Sequence, residues 1–77
     1  MNHDHLLDIR GLCCSAPVIR LGREFRTFDD GAVVLTVSDK CSMLNDIPAW
    51  CRMTGNALLQ QDETDGLFRF WIRKRSG

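Results

Sequence analysis

The sequence predicts a two-layer α/β sandwich in which two helices cover one face of a four-stranded mixed sheet. Apolar residues recur at every third or fourth position in two stretches, 17–28 and 42–53, which predicts two amphipathic helices. Apolar residues alternate with polar ones or run continuously at 7–10, 32–37, 57–61 and 67–73, which predicts four strands. The resulting order is βαβαββ, and this arrangement is the simplest one that buries every apolar stripe.

The length and charge of the chain predict one compact domain over 1–77 whose chemistry takes place at the surface. The 77 residues include ten basic and ten acidic side chains, so the formal net charge is zero. A domain of this size buries roughly 60 to 65% of the surface of its unfolded chain, which leaves little room for a deep catalytic cleft. The zero net charge argues against an overall electrostatic attraction to nucleic acid, although Arg73-Lys74-Arg75 forms a local basic cluster.

The first strand and the first helix follow from local patterns. Leu7 and Ile9 alternate with Asp8 and Arg10, which is typical of a half-buried strand that ends before the turn residue Gly11. The helix is predicted to begin near Pro17, whose fixed φ suits a first helical turn. Its apolar stripe consists of Val18, Leu21, Phe25 and Phe28.

The middle of the chain predicts a buried strand followed by a second helix. Residues 32–37 form a nearly continuous β-branched run, which is typical of a strand with neighbours on both edges. After a polar loop over 38–41, either Ser42 or Asp46 is a suitable N-cap, and Gly55 is the expected stop. The inner stripe of this helix is Ile47, Trp50 and Cys51, with Met43 or Leu44 added if the earlier start is used.

The last part of the chain predicts a hairpin of two strands, 57–61 and 67–73, joined around 62–66. Phe68, Phe70 and Ile72 share one face of the final strand. Trp71 lies on the opposite face, and we expect it to contribute to an interaction surface.

The four cysteines are expected to be free thiols. The N-terminal residues lack the basic region of a signal peptide, and no apolar run is long enough to span a membrane, so we expect a cytoplasmic protein without membrane contact. No C-x-x-C pair is present, which makes a structural zinc site a poor interpretation. The segment Met1-Asn2-His3 offers amine and imidazole nitrogens for copper or nickel, but a disordered chain start is the favoured interpretation.

Cys14 is the main candidate for chemistry, because it lies where the first strand gives way to the first helix. The unpaired N–H groups of a helix N-terminus favour a thiolate, so Cys14 is predicted to be a sulfur nucleophile. Cys13 is expected to point into the core, and Cys51 is expected to be a core residue. Cys41 is placed in a loop at the same end of the sheet, where it offers a second thiol for resolving a persulfide or forming a disulfide.

Two motifs resemble those of the TusA-like (SirA-like) sulfur-carrier family. Residues 7–18 read L-D-I-R-G-L-C-C-S-A-P-V and are similar to the family pattern L-D-x-R-G-L-x-C-P-x-P-V, with Ser15 in place of the first proline and Pro17 retained. Residues 46–56 are similar to the family pattern D-I-P-x-[FW]-C followed by G-[HN]. Asp39 falls where the family has an acidic loop residue.

This resemblance implies a fold and an activity. The implied strand order is 1-2-4-3, and the implied activity is that of a sulfurtransferase without a cofactor. In the family, the cysteine that matches Cys14 accepts sulfane sulfur from a cysteine desulfurase, holds it as a persulfide and passes it to an acceptor protein in pathways such as tRNA thiolation. Arg10 is a candidate for orienting the incoming persulfide or a partner carboxylate. Ser15 is expected to cap the helix or to hydrogen-bond the Cys14 sulfur.

Two other functions remain open from the sequence. One is a regulatory or accessory interaction module that keeps the fold without transferring sulfur, and Ser15 is the feature that favours it. The other is an RNA-binding domain, favoured by Arg69 and by the basic cluster Arg73-Lys74-Arg75 but lacking a clear aromatic platform for base stacking.

Overall fold

The computed structural model describes residues 2–76, and it confirms the predicted βαβαββ order. The strands and helices are β1 (His5–Asp8), α1 (Ala16–Phe25), β2 (Val33–Ser38), α2 (Met43–Thr54), β3 (Ala57–Thr64) and β4 (Leu67–Arg73). Met1, the first residue of the metal-binding candidate Met1-Asn2-His3, lies outside the described residues. Neither α1 nor α2 has the length and apolar character needed to cross a membrane.

The four strands form one mixed sheet in the order β1-β2-β4-β3, as the resemblance implies. β1 runs parallel to β2, while β2 pairs antiparallel with β4 and β4 pairs antiparallel with β3. The β-branched run is thus a central strand with neighbours on both edges, as predicted. Because β1 and β2 are parallel, the loops that follow them leave the same end of the sheet.

The first strand ends earlier than predicted. Its ladder covers His5–Asp8, and the Ile9 N–H still donates to the Val37 carbonyl at 2.9 Å. The next N–H, that of Arg10, turns back to the carboxylate of Asp8 at 2.9 Å, so pairing with β2 stops there. Leu7 and Ile9 are both buried, which confirms the predicted inner face.

The two helices differ from the prediction mainly at their ends. α1 stops at Phe25, so Phe28 lies beyond the helix and packs against the core from the turn. α2 takes the earlier of the two predicted starts, with Ser42 as its N-cap residue and Met43 rather than Leu44 on the buried face. Its first turn is held by backbone bonds, such as Met43 N–H to the Lys40 carbonyl at 3.0 Å, and not by the Ser42 side chain.

The core lies between the two helices and the sheet face that they cover. It contains side chains from every element except β3, and the half-buried Leu58 of β3 packs against it. The buried cluster consists of Leu7, Ile9, Leu21, Phe25, Val34, Met43, Ile47, Trp50, Cys51, Phe68, Phe70 and Ile72. Phe25 and Trp50 join the helices through an edge-to-face contact with ring centroids 4.9 Å apart.

Trp71 corrects one prediction. It does lie on the face opposite Phe70, but its side chain is only 5% exposed, so it does not present an aromatic surface to a partner. The guanidinium of Arg69 lies over the indole ring at 5.3 Å from its centroid, and Arg69 is itself held by Asp62 through a 2.8 Å and a 2.7 Å hydrogen bond. The hairpin is also tighter than predicted, since β3 continues to Thr64 and the turn is Asp65-Gly66.

Two glycines give a paired prediction for stability. Gly22 lies inside α1 with nothing within 4 Å of an added Cβ, so Gly22→Ala is expected to stabilise the fold by about 0.5 to 1 kcal/mol. Gly55 ends α2 with φ at +80°, so Gly55→Ala is expected to destabilise it by about 1 to 2 kcal/mol. Urea denaturation followed by circular dichroism measures both changes. Equal effects of the two substitutions would contradict the left-handed stop at Gly55.

Candidate functional site

The candidate site is built on two loops at the carboxyl ends of the parallel strands β1 and β2. Gly11 in the first loop has φ at +80°, a conformation that glycine adopts without strain. Its N–H donates to Asp39 Oδ1 in the second loop at 3.1 Å. This hydrogen bond links the loop that contains Cys13 and Cys14 to the loop that contains Cys41. Asp39, the acidic residue of the second loop, therefore has a structural role.

Arg10 is paired with Asp8, and no hydrogen bond in the described chain joins its side chain to Cys13 or Cys14. Its Nε donates to Asp8 Oδ1 at 3.0 Å and its Nη2 to Oδ2 at 2.9 Å. These hydrogen bonds lower the pKa of the Asp8 carboxyl to about 2. Because the pKa is lower in the folded chain, the pair favours folding above about pH 4 and loses this effect as the pH falls toward 2. Both side chains are about half exposed, so the contribution is small.

Cys14 is exposed and its backbone is in the left-handed region, with φ at +62°. This conformation costs a residue with a Cβ about 1 kcal/mol. The other non-glycine residue with positive φ in the described chain is Asp65, which lies in the hairpin turn. Strained backbone of this kind is concentrated at functional positions, so Cys14 stands out on conformation as well as on sequence.

The structure corrects the prediction for Cys13 and places its thiol against that of Cys14. Cys13 is exposed and does not point into the core. The Cys14 thiol donates to Cys13 Sγ at 3.7 Å, and this hydrogen bond is the largest cause of a raised Cys14 pKa. This direction is opposite to the lowered pKa expected for a thiol at a helix N-terminus. The hydrogen bonds of residues 2–76 include none from a helix N–H to Cys14 Sγ.

Ser15 and Pro17 form the start of α1. Ser15 is the N-cap residue, but its hydroxyl makes no capping hydrogen bond, and no hydrogen bond in the described chain joins it to the Cys14 sulfur. The predicted roles of the Ser15 hydroxyl are therefore wrong. The Ser15 carbonyl accepts from the Ile19 N–H at 3.1 Å, while Pro17 is fully buried in the first turn. The retained proline thus anchors the helix start beneath the exposed thiols.

The remaining cysteines, Cys41 and Cys51, form no hydrogen bond or disulfide with this pair of thiols in the part of the chain that the structure describes. Cys51 is buried on the inner face of α2, as predicted, and burial raises its pKa to about 11. Cys41 is an exposed free thiol just before α2, with no disulfide or hydrogen bond of its side chain among the described residues. Over residues 2–76, no three His, Cys, Asp or Glu side chains are grouped so as to hold a metal ion.

The contact between the two thiols predicts a pH effect. In Cys13→Ala the hydrogen-bond acceptor is lost, so the pKa of Cys14 is expected to fall and its thiolate to form at lower pH. The pH profile of Cys14 alkylation by iodoacetamide, followed by peptide mass, measures this change. Cys41→Ala is the matched control and is expected to leave the profile unchanged. An unchanged midpoint in Cys13→Ala would contradict the contact.

A shallow groove of about 240 Å³ lies next to the thiols along α1. It is lined by Leu12, Ala16, Ile19, Arg20 and Arg23. Ile19 is 57% exposed, and Arg20 forms an ion pair with Glu24 at 3.5 Å on the same helix. An apolar strip bordered by cationic side chains is thus available beside Cys14.

Comparison with known proteins decides the family. The profile described as sulfurtransferase TusA matches residues 5–74, which include the two loops and both helices. The chain belongs to the TusA family. A protein of Pseudomonas putida strain F1 named sulfur carrier protein TusA is 38% identical over 73 residues, covering 95% of this chain and 91% of the relative. The protein of the same name from Buchnera aphidicola is 32% identical over 71 residues, covering 92% of this chain and 90% of the relative.

The fold of this TusA-family chain also matches a solved structure. The crystal structure of a SirA-like protein from Desulfitobacterium hafniense superimposes with a TM-score of 0.79 over 95% of this chain and 100% of that chain, at 21% identity. The likeness confirms the two-layer fold.

Two features of the site were missed from the sequence. The left-handed backbone at Cys14 has no signal, because glycine and asparagine are the residues that normally indicate this conformation. The Cys13–Cys14 contact was missed because a turn lacks the regular residue spacing of a helix or strand, which is what allows the direction of a side chain to be predicted. The Gly11–Asp39 bond, in contrast, has a signal in the sequence, since the glycine follows the first strand and the aspartate follows the second.

Proposed function

We propose that this chain is a sulfur carrier that accepts sulfane sulfur as a persulfide on Cys14 and relays it to an acceptor protein. Membership in the TusA family and the names of the curated relatives support the carrier role. The observation that carries the assignment to Cys14 is its exposed position in a left-handed turn directly before α1. A carrier sulfur has to meet two proteins in turn, and this position leaves it open to both.

Cys14 takes up sulfur in a single nucleophilic displacement. Its thiolate attacks the outer sulfur of a persulfide on the donor enzyme, a bond forms between Cys14 Sγ and that sulfur, and the donor cysteine leaves as a thiolate. Because the contact with Cys13 raises the pKa of Cys14, less of its reactive thiolate is present at a given pH. Sulfur uptake is therefore expected to accelerate with rising pH.

The groove beside Cys14 supports a docking surface for the donor, which we take to be a cysteine desulfurase. Ile19 supplies exposed apolar area, and Arg20 and Arg23 supply positive charge. A donor surface that carries carboxylates around an apolar residue complements this groove. Leu12 and Ala16 flank the thiols in the chain, so we expect a protein bound in the groove to lie close to Cys14.

The thiols also support a location in a reducing compartment such as the cytoplasm. All four cysteines are free, and three of them are exposed. Exposed free thiols persist where cellular reductants keep them reduced. Transfer to an acceptor in tRNA thiolation is the family pathway that fits this setting.

The alternative functions receive less support from the structure. A base-stacking platform on β4 is not formed, because Phe68, Phe70 and Trp71 are all buried. The hypothesis of an accessory module is based on Ser15, which replaces the first proline of the family motif. Even with this replacement, Pro17 is buried at the start of α1 and Cys14 is exposed.

Turnover of the donor enzyme tests the proposal. A cysteine desulfurase without reductant stalls once its own cysteine is persulfidated, and a carrier restores turnover by removing that sulfur. The wild-type chain is expected to increase alanine formation from cysteine in proportion to its amount, and Cys41→Ser is expected to do the same. Equal stimulation by Cys14→Ser would contradict the proposal.

A further inference from the structure

The site contains a second exposed thiol that a one-cysteine carrier does not use. Cys13 and Cys14 are adjacent in the chain, both are exposed, and their sulfur atoms are 3.7 Å apart. Each sulfur is a nucleophile once deprotonated, and each lies within contact distance of the other. The two thiols are therefore close enough to react with each other.

We propose that Cys13 is a resolving thiol, which discharges the Cys14 persulfide as hydrosulfide and closes a disulfide between Cys13 and Cys14. The inference rests on the proposed function, because it requires that Cys14 carry sulfane sulfur. It adds a second outcome for the carried sulfur when no acceptor protein takes it.

The step is balanced without an added oxidant. The Cys13 thiolate attacks Cys14 Sγ, a bond forms between the two Sγ atoms, and the bond from Cys14 Sγ to the outer sulfur breaks. The outer sulfur leaves as HS⁻ with the electron pair of that bond. The sulfane sulfur is reduced to sulfide by two electrons, and the two cysteine sulfurs are oxidised to the disulfide.

The geometry favours this step over the same reaction between two molecules. The sulfurs are already close to the roughly 3 to 3.5 Å separation of a near-attack arrangement, and the reaction is intramolecular. The discharge is therefore expected to be independent of protein concentration. Cys41 has no contact of this kind in the described chain, so Cys13 is the thiol assigned to the step.

The product is a strained disulfide that thiols readily reduce. Neighbouring Cα atoms are about 3.8 Å apart across a trans peptide, below the roughly 4.4 to 6.8 Å usual for disulfides. Strain and exposure raise the reduction potential of a disulfide. Glutathione or another thiol reductant is thus expected to return the pair to the dithiol form, and the carrier can be loaded again.

The test loads the protein chemically, without a partner enzyme. Reduced wild-type protein, Cys13→Ser and the control Cys41→Ser are treated with inorganic polysulfide, desalted without oxygen and followed by intact mass and sulfide release. In Cys13→Ser we expect a stable gain of about 32 Da on Cys14. In wild type and Cys41→Ser we expect that gain to decay to a form about 2 Da lighter than the dithiol, with one sulfide released per chain.

The outcomes separate this inference from the proposed function. A persulfide on Cys14 that persists equally in wild type and Cys13→Ser overturns the resolving role and leaves the carrier role standing. Sulfane sulfur that moves to Cys13 without sulfide release also overturns it. If Cys13→Ser gains no sulfur on Cys14, the carrier assignment fails, and the resolving step fails with it.

Discussion

Phe70→Ala is expected to lower the free energy of unfolding by about 3 to 5 kcal/mol, the range for removing a large buried aromatic side chain. Phe70 is fully buried on the central strand β4, where it pairs with Thr36 of β2 and Gln61 of β3. Small domains have a total stability of only about 0.05 to 0.15 kcal/mol per residue. We therefore expect much of the variant to be unfolded at 25 °C.

Urea denaturation followed by circular dichroism measures this effect. The control is Met53→Ala, which also removes a large apolar side chain, but from an α2 position that is 85% exposed. The control is expected to unfold within about 0.5 kcal/mol of wild type. A loss below about 1 kcal/mol in Phe70→Ala would show that the core is not centred on β4.

Cys14→Ser is expected to reduce sulfur uptake to the level of a reaction without the carrier. The substitution keeps the size of the side chain and a hydrogen-bond donor but removes the nucleophile, and Cys14 is exposed, so the fold is expected to be unchanged. Radiolabelled sulfur from cysteine, transferred by a cysteine desulfurase and detected on a non-reducing gel, gives the measurement.

The matched control for this variant is Cys41→Ser, which removes an exposed thiol from the second loop and is expected to be labelled to the same extent as wild type. Dithiothreitol is expected to release the label from both proteins, because a persulfide sulfur is reducible. Labelling of Cys14→Ser at the wild-type level would mean that another thiol carries the sulfur.

Much of the fold follows from patterns of apolar residues. The β-branched run 32–37 predicted a central strand, and β2 occupies that position. Gly55 predicted the end of α2 and adopts the left-handed conformation there. Element ends were less predictable, because they depend on single competing contacts. Asp8, for example, takes the N–H of Arg10 and ends the pairing of β1.

The site was predictable in position but not in geometry. The motif placed Cys14 before the first helix, and the structure leaves it exposed there. The direction of Cys13 and the pKa of Cys14 depend on a turn whose backbone is left-handed at a cysteine, which local sequence does not indicate. Trp71 was placed on the correct face, but its burial depends on neighbours such as Arg69. A strand pattern gives the face of a residue and not what covers it.

The most direct test of the account locates the sulfur in the wild-type protein. After brief incubation with a cysteine desulfurase and cysteine, free thiols and persulfides are alkylated and the chain is cut with trypsin, which separates residues 11–20 from the Cys41 region. Fragmentation of the 11–20 peptide then distinguishes Cys13 from Cys14. The account predicts that the first sulfur gained, about 32 Da, is on Cys14. A first sulfur on Cys13 or Cys41, with Cys14 unmodified throughout, would contradict it.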